Sequence, residues 1–264
     1  PNCGGDIPKL AGERAQSIAC RYCGAVTDIT SQRVVFTQDQ ARAEPPIPLG
    51  NRGQLGPHGY VCIAYLRRSS VIEGERYAWE EQLLFSESGG YRWLVLDEGA
   101  WLLVEAMNIA DVDLRDFPSD VRVGGQRYHL RNSNQARVDY VLGETYWRCR
   151  VGETVQVGDY AAGRVVLSRE ETPGEVHWSR SEAIPWPVIA RAFGVAKERV
   201  ASAGSSGGGS GAPLVGPGAK LAFILVIVAV VIVLQMTSSG GGGAVFIPSG
   251  GTTFGGSGHY YGGK

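Results

Sequence analysis

Between Pro45 and Glu198 apolar and polar positions alternate in short runs broken by Gly, Asp and Asn, which is the pattern of half-buried strands. Enrichment in β-branched and aromatic residues places strands near Tyr60–Arg67, Tyr77–Phe85, Tyr91–Leu96, Trp101–Glu105, Gln126–Arg131, Ala136–Leu142, Tyr146–Val151, Val155–Val157 and Val165–Ser168. One helix is predicted, Trp186–Phe193, because Pro187 is tolerated in a first turn and Gly194 can end it. The expected fold is mainly β, with antiparallel sheets closed into a barrel or sandwich and one short helix.

A second pattern begins later. Leu221–Leu234 carries no polar side chain on any face, so it has no amphipathic stripe. Extended to residues 219–237 with Lys220 reaching the interface, a helix here spans roughly 28 Å, close to the hydrocarbon thickness of a bilayer. Its Leu, Ile, Val and Phe residues favour insertion by roughly 5 kcal/mol in sum. Ser202–Gly218 and Ser238–Lys264 are Gly- and Ser-rich and offer no apolar area to repay ordering. The organisation is thus a small leading ribbon over 1–36, a β-rich domain over 45–198, a Gly/Ser linker over 199–219, a single transmembrane helix over 220–237 and a disordered Gly-rich tail over 238–264.

Charge follows the same division. The chain has 264 residues with 25 Lys+Arg against 26 Asp+Glu, and beyond Glu198 only Arg199, Lys220 and Lys264 are charged. A phosphate-reading surface needs a basic excess, so no nucleic-acid partner is expected. Lys220 upstream of the span and no basic residue downstream before Lys264 place the folded part in the cytoplasm by the positive-inside rule.

Five cysteines change the picture at the start of the chain: Cys3, Cys20, Cys23, Cys62 and Cys149. In Cys20-Arg21-Tyr22-Cys23-Gly24 the two intervening residues let both thiolates reach one Zn²⁺, and Gly relieves crowding in the turn. A redox dithiol would want a βα context, whereas Ala25–Ile29 reads as a strand. Asn2-Cys3-Gly4 echoes Tyr22-Cys23-Gly24, so Cys3 reads as the second cysteine of another knuckle. The expected metal ligands are Cys3, Cys20 and Cys23, the fourth being a cysteine lost upstream of Pro1. Four thiolates close the coordination sphere, which makes the zinc structural, a substitute for a core in a ribbon too small to have one. Cys62 and His58 are the weaker candidates for the fourth bond, while Cys62 and Cys149, each within an apolar and aromatic run, read as small core residues. A thiolate site persists in a reducing compartment, in agreement with the cytoplasmic placement.

Catalytic patterns are missing. His58, His129, His177 and His259 stand apart, and there is neither a Gly-x-Ser-x-Gly elbow nor a P-loop. Glu80, Glu81 and Glu144 read as solvent-face partners of Arg76, Arg92 and Arg148 across strands rather than as an acid/base pair. Gly74-Glu75-Arg76-Tyr77 and Gly143-Glu144-Thr145-Tyr146 share a start that hints at an internal repeat.

Taken together, Pro48-Leu49-Gly50, Gly59-Tyr60, Leu66-Arg67-Arg68, Tyr77–Leu84, Gly90–Leu94, Tyr140–Glu144, Gly158-Asp159-Tyr160 and Leu167–Glu170 resemble the bacterial domain of unknown function 4178 family, over roughly Pro45–Glu182. Members similar to this chain carry a leading ribbon, a late span and a Gly-rich end, and the resemblance implies no catalytic residue. It also implies a setting near membrane-stress proteins and polyamine synthases. The leading expectation is a non-enzymatic adaptor tethered to the bacterial inner membrane through residues 220–237, binding other proteins at the cytoplasmic face. The alternative is an enzyme or accessory subunit that holds a small cationic metabolite such as a polyamine in a pocket of Glu80, Glu81, Trp79 and Trp93. Converging carboxylates would favour the alternative; outward glutamates paired to arginines would favour the adaptor.

Overall fold

Strand alternation carries through the β-rich part, and it closes into a barrel rather than a sandwich. The computed structural model describes residues 3–196 apart from 8, 39–42, 109–111, 113–118 and 173. Its strands are β1 (Ser17–Ala19), β2 (Ala25–Asp28), β3 (Arg33–Thr37), β4 (Arg52–Leu55), β5 (His58–Ile72), β6 (Glu75–Ser86), β7 (Gly90–Asp97), β8 (Ala100–Ala106), β9 (Asp120–Val123), β10 (Gln126–Thr145), β11 (Thr154–Ala162), β12 (Val165–Thr172) and β13 (Glu175–Ala183), followed by helix α1 (Trp186–Phe193).

Eight strands form the barrel in the order β5-β6-β7-β8-β13-β12-β11-β10, and β10 pairs back with β5. Two antiparallel meanders, β5–β8 and β10–β13, meet at two seams: Val141 opposite Leu66, and Ser181 opposite Val104. Closure leaves the eight strands without a free edge. Leu66, Leu83, Trp93, Val95, Leu102 and Val104 pack together inside. The outer face is also covered. Tyr60, Cys62, Leu84 and Leu94 lie under Ile189 and Phe193 of α1, and Tyr160, Leu167 and Trp178 lie beside Val121 and Tyr128 of the β9–β10 hairpin. Burying Ile189 and Phe193 contributes roughly 1.5–3 kcal/mol each, which holds a helix too short to stand alone.

The predicted helix matches α1, with Gly194 at φ +63° ending it. Two expectations fail for one reason. Gln126–Arg131 and Ala136–Leu142 are parts of a single strand, β10, and β13 has no counterpart in the expected set. In both, inward positions are polar: register and alternation put Asn132 and Asn134 of β10, and Ser179 and Ser181 of β13, on the inner wall beside Asp159, Val157, Ser168 and Val166. A polar interior erases the hydrophobic period that strand reading relies on. Tyr146–Val151 is not a strand. It turns across one end of the barrel, where Trp147 and Cys149 join the interior cluster. The shared Gly-Glu-x-Tyr motifs fall at the start of β6 and the end of β10, which are not equivalent positions.

Strands β1–β3 extend the same sheet. Ser17–Ala19 of β1 pairs with Thr145–Gly143 of β10, so the cysteine-bearing segment and the barrel share hydrogen bonds. The junction is tight enough to demand glycine: a Cβ on Gly143, at φ +86°, would sit 2.2 Å from the Ile63 carbonyl oxygen. Among the described residues β3 is one end of the sheet and β4 the other. No helix among the described residues is long and apolar enough to cross a membrane. The predicted linker (199–219), span (220–237) and tail (238–264) lie outside the described residues.

Candidate functional site

The three cysteines singled out by spacing converge. The Sγ atoms of Cys3, Cys20 and Cys23 all lie within 4.8 Å of one another, and Cys3 and Cys20 are 3.8 Å apart. Zn–S bonds of about 2.3 Å in a tetrahedron require sulfurs about 3.8 Å apart, so this donor set fits a metal ion. None of the five cysteines is in a disulfide. The knuckle geometry explains the spacing: Gly4 and Gly24, each one residue after a ligand, have φ of +69° and +71°, a conformation that turns the chain back around the sulfurs. The Tyr22 N–H donates to Cys20 Sγ at 3.4 Å. Cys62 and Cys149 are elsewhere, both enclosed. Burial pushes the Cys149 thiol up to about 12 and that of Cys62 higher still, so each behaves as a small core residue.

The thiol cluster is clamped to the barrel by residues whose role sequence reasoning did not see. Glu144 Oε2 accepts the Ala11 N–H at 2.8 Å, and Oε1 accepts the Leu10 N–H. Gln38 makes a reciprocal pair with Val141, donating from Nε2 to its carbonyl at 2.7 Å and accepting its N–H at 3.0 Å. Arg148 reaches Asp28 at 3.0 Å. Glu144 is therefore a backbone acceptor rather than a partner of Arg148. Arg76 and Arg92 pair instead with Asp139 and Glu105, at 2.8 Å and 3.2 Å.

A second cluster lies inside the barrel. Arg68 of β5 meets Glu170 of β12 at 2.8 Å and Glu81 of β6 at 3.5 Å. Strands β5 and β12 are not neighbours in the sheet, so the Arg68–Glu170 contact crosses the interior. The Trp79 indole N–H donates to Glu81 Oε1 at 2.6 Å, and the Arg68 guanidinium stands 5.8 Å from the Trp79 ring centre. On β11, Asp159 accepts the Ser168 hydroxyl at 2.5 Å. Burial, opposed by Arg68, pushes Glu81 up to about 7. Burial raises Asp159 well above the carboxylate range, with Glu170 and Asp97 adding to the shift. Asp97, at the end of β7, is pushed up to about 7 by burial and by Glu98.

A family model described as Domain of unknown function (DUF4178) matches residues 48–186, from just before β4 to the first residue of α1. The chain belongs to this family. The DUF4178 segment thus comprises the barrel with its interior charges, whereas Cys3, Cys20 and Cys23 precede it. No curated protein and no solved structure matches the chain.

Within the DUF4178 barrel the expected glutamate pair is split. Adjacent residues of a strand face opposite ways, so Glu81 points inward while Glu80 faces outward beside Tyr65 and Arg67. The solvent-face reading fails for Glu81, which is fully buried. Trp79 and Trp93 are both packed in the interior hydrophobic cluster. Arg68, Asp159 and Glu170 went unnoticed. The run Leu66-Arg67-Arg68 held a signal, an arginine in step with the apolar Leu66 of its strand.

Proposed function

We propose that this chain is a non-enzymatic adaptor that binds other proteins at the cytoplasmic face of an inner membrane, with Zn²⁺ held by Cys3, Cys20 and Cys23 stiffening the ribbon that makes the contact. The observation that carries this reading is strand β3. All five of its residues are exposed, including Val34, Val35 and Phe36 in succession, and its outer edge has no strand partner among the described residues. Proteins ordinarily shield such an edge, as α1 packs on β4 at the opposite end of the sheet. An extended apolar segment of a partner can add to β3 as a further strand, main-chain hydrogen bonds supplying affinity and the exposed valines and phenylalanine supplying contact. The metal holds β2 and β3 in register for that addition, since these strands bury too little to persist alone.

The test uses the full chain in its membrane. A stoichiometric partner that co-purifies with the unaltered protein should be lost at least about tenfold on Val35→Glu, with circular dichroism unchanged. Equal retention would remove β3 as the contact. The tether rests on the unbroken apolar run Leu221–Leu234. Deleting residues 221–236 should move the protein from the membrane pellet to the supernatant in a sedimentation assay, and continued pelleting with membranes would count against the span.

A further inference from the structure

A cavity of about 50 Å³ lies where the ribbon meets the barrel. Both parts build its wall: Ile7 and Leu10 come from the segment before β1, and Leu49, Ile63 and Leu142 from the barrel side. Ala19 and Gly143, which face each other in the β1–β10 pairing, line it as well. A water needs about 10–15 Å³ on this scale, so there is room for about four heavy atoms, the size of a leucine side chain. Polar groups do not converge on it. Glu144 gives both carboxylate oxygens to the Leu10 and Ala11 N–H groups, and Asp6 and Arg21 are the exposed members of the lining. Walls of this kind offer water too few hydrogen bonds, so the cavity suits an apolar side chain rather than a polar metabolite or a metal ion.

We propose that this cavity receives the chain's own Leu214, with Val215 beside it, so that the segment between α1 and the apolar run Leu221–Leu234 docks on the ribbon–barrel junction. Leu214 and Val215 are the two large apolar residues of Ser202–Gly218. The path is short. The Asn51 side chain donates to the carbonyl of Phe193, the last residue of α1, at 3.3 Å. Leu49, two residues before Asn51, packs on the cluster of Ile189 and Phe193 and also lines the cavity. The cavity therefore begins within about 10 Å of the end of α1. Leu214 follows Ala196, the last described residue, by 18 positions, and a Gly/Ser-rich chain of that length has an r.m.s. span of about 20–25 Å. It reaches without stretching. Tethering at this length gives Leu214 an effective concentration on the order of 1 mM, so an intrinsic Kd of about 1 mM half-fills the cavity, and a foreign apolar segment has to outcompete it. Pro213 and Pro217 bracket the pair and reduce the conformations lost on docking. Lys220 is five residues beyond Val215, which brings the junction within about 18 Å of the start of the apolar run. On the membrane-tether reading this presents β3 close to the bilayer, to partners themselves held there; that consequence rests on the tether, whereas the docking does not.

Methyl spectra of the full chain in detergent, labelled at Ile, Leu and Val, test the docking. Nuclear Overhauser contacts are expected from the Leu214 methyls to those of Ile63 and Leu142. Leu214→Ser combined with Val215→Ser should shift the Ile63 resonance and leave that of Val95, inside the barrel, in place. Leu49→Phe, which enlarges a partly exposed residue of the wall, should fill the cavity and abolish the Leu214 contacts. Absence of these contacts in the unaltered protein, an unmoved Ile63 signal in the double variant, or undiminished contacts in folded Leu49→Phe would each overturn the proposal. Contacts seen only between labelled and unlabelled chains in a mixed sample, or from detergent to Ile63 in place of Leu214, would overturn it by naming a different occupant. Should Leu49→Phe fail to fold, the unaltered protein and the double variant decide. A chain that shows the Leu214 contacts yet leaves the membrane pellet unaltered would lose the tether and keep the docking.

Discussion

Arg68→Met is expected to destabilise the barrel by about 3–5 kcal/mol at pH 8, the range for removing one member of a buried ion pair. Methionine fills much of the volume, so the cost is electrostatic: Glu81 and Glu170 lose the guanidinium that lies 3.5 Å and 2.8 Å away and remain buried. The penalty should shrink at about pH 5.5, where Glu81 takes up a proton. The unaltered protein should show a weaker trend of the same sign. Glu81 and Asp97 titrate near 7 in the folded state, above their ordinary 4.5 and 3.8, so between those values the folded chain binds more protons than the unfolded one. Stability therefore falls as pH rises from about 4 to about 7 and levels off above. Urea denaturation of both proteins at pH 5.5 and 8 measures both effects. A loss in Arg68→Met that is small and independent of pH would show that the interior carboxylates do not depend on Arg68.

Cys20→Ser and Cys23→Ser are each expected to abolish metal binding and to unfold β1–β3 while leaving the barrel folded. A structural thiolate zinc contributes on the order of 10 kcal/mol to a small ribbon, more than these three short strands recover by packing. What ties them to the barrel is the three-residue pairing of β1 with β10, flanked by the Glu144 contacts to Leu10 and Ala11 and the Gln38–Val141 pair. Those contacts hold an ordered ribbon in place but cannot order it. Metal analysis of the purified protein should show the ion lost. Hydrogen exchange should show protection gone at Ile18 and Val26 but kept at Leu83 and Val95. Unchanged metal content in both variants would refute the thiol cluster as a metal site, and a collapse of barrel protection would show that the ribbon is part of the same cooperative unit.

The most legible parts of the chain were those in which chemistry acts over a few residues. The CxxC knuckle and its Cys-Gly echo identified three sulfurs that do meet, because a turn that wraps a metal is encoded by adjacent ligands and glycines. The same locality made α1 readable, from Pro187 and Gly194, and made β5–β8 visible through their apolar enrichment. The interior charges were less legible. By itself the strand sequence places Glu81 at the surface, because a carboxylate in a strand is usually on the solvent face. Its true environment depends on Arg68 and Glu170, 13 and 89 positions away in the sequence.

The sequence by itself determined the division of the chain into cysteine-rich start, β-rich middle and apolar and glycine-rich end, together with the membership of the thiol cluster, since composition and short spacing act locally. Only the tertiary structure decided that the sheet closes, that β13 and the middle of β10 are strands with polar inner faces, and that Glu144 clamps a distant segment. Closure brings together strands far apart in the chain, and it is the enclosed volume, not any local pattern, that turns ordinary arginine and glutamate residues into a buried cluster.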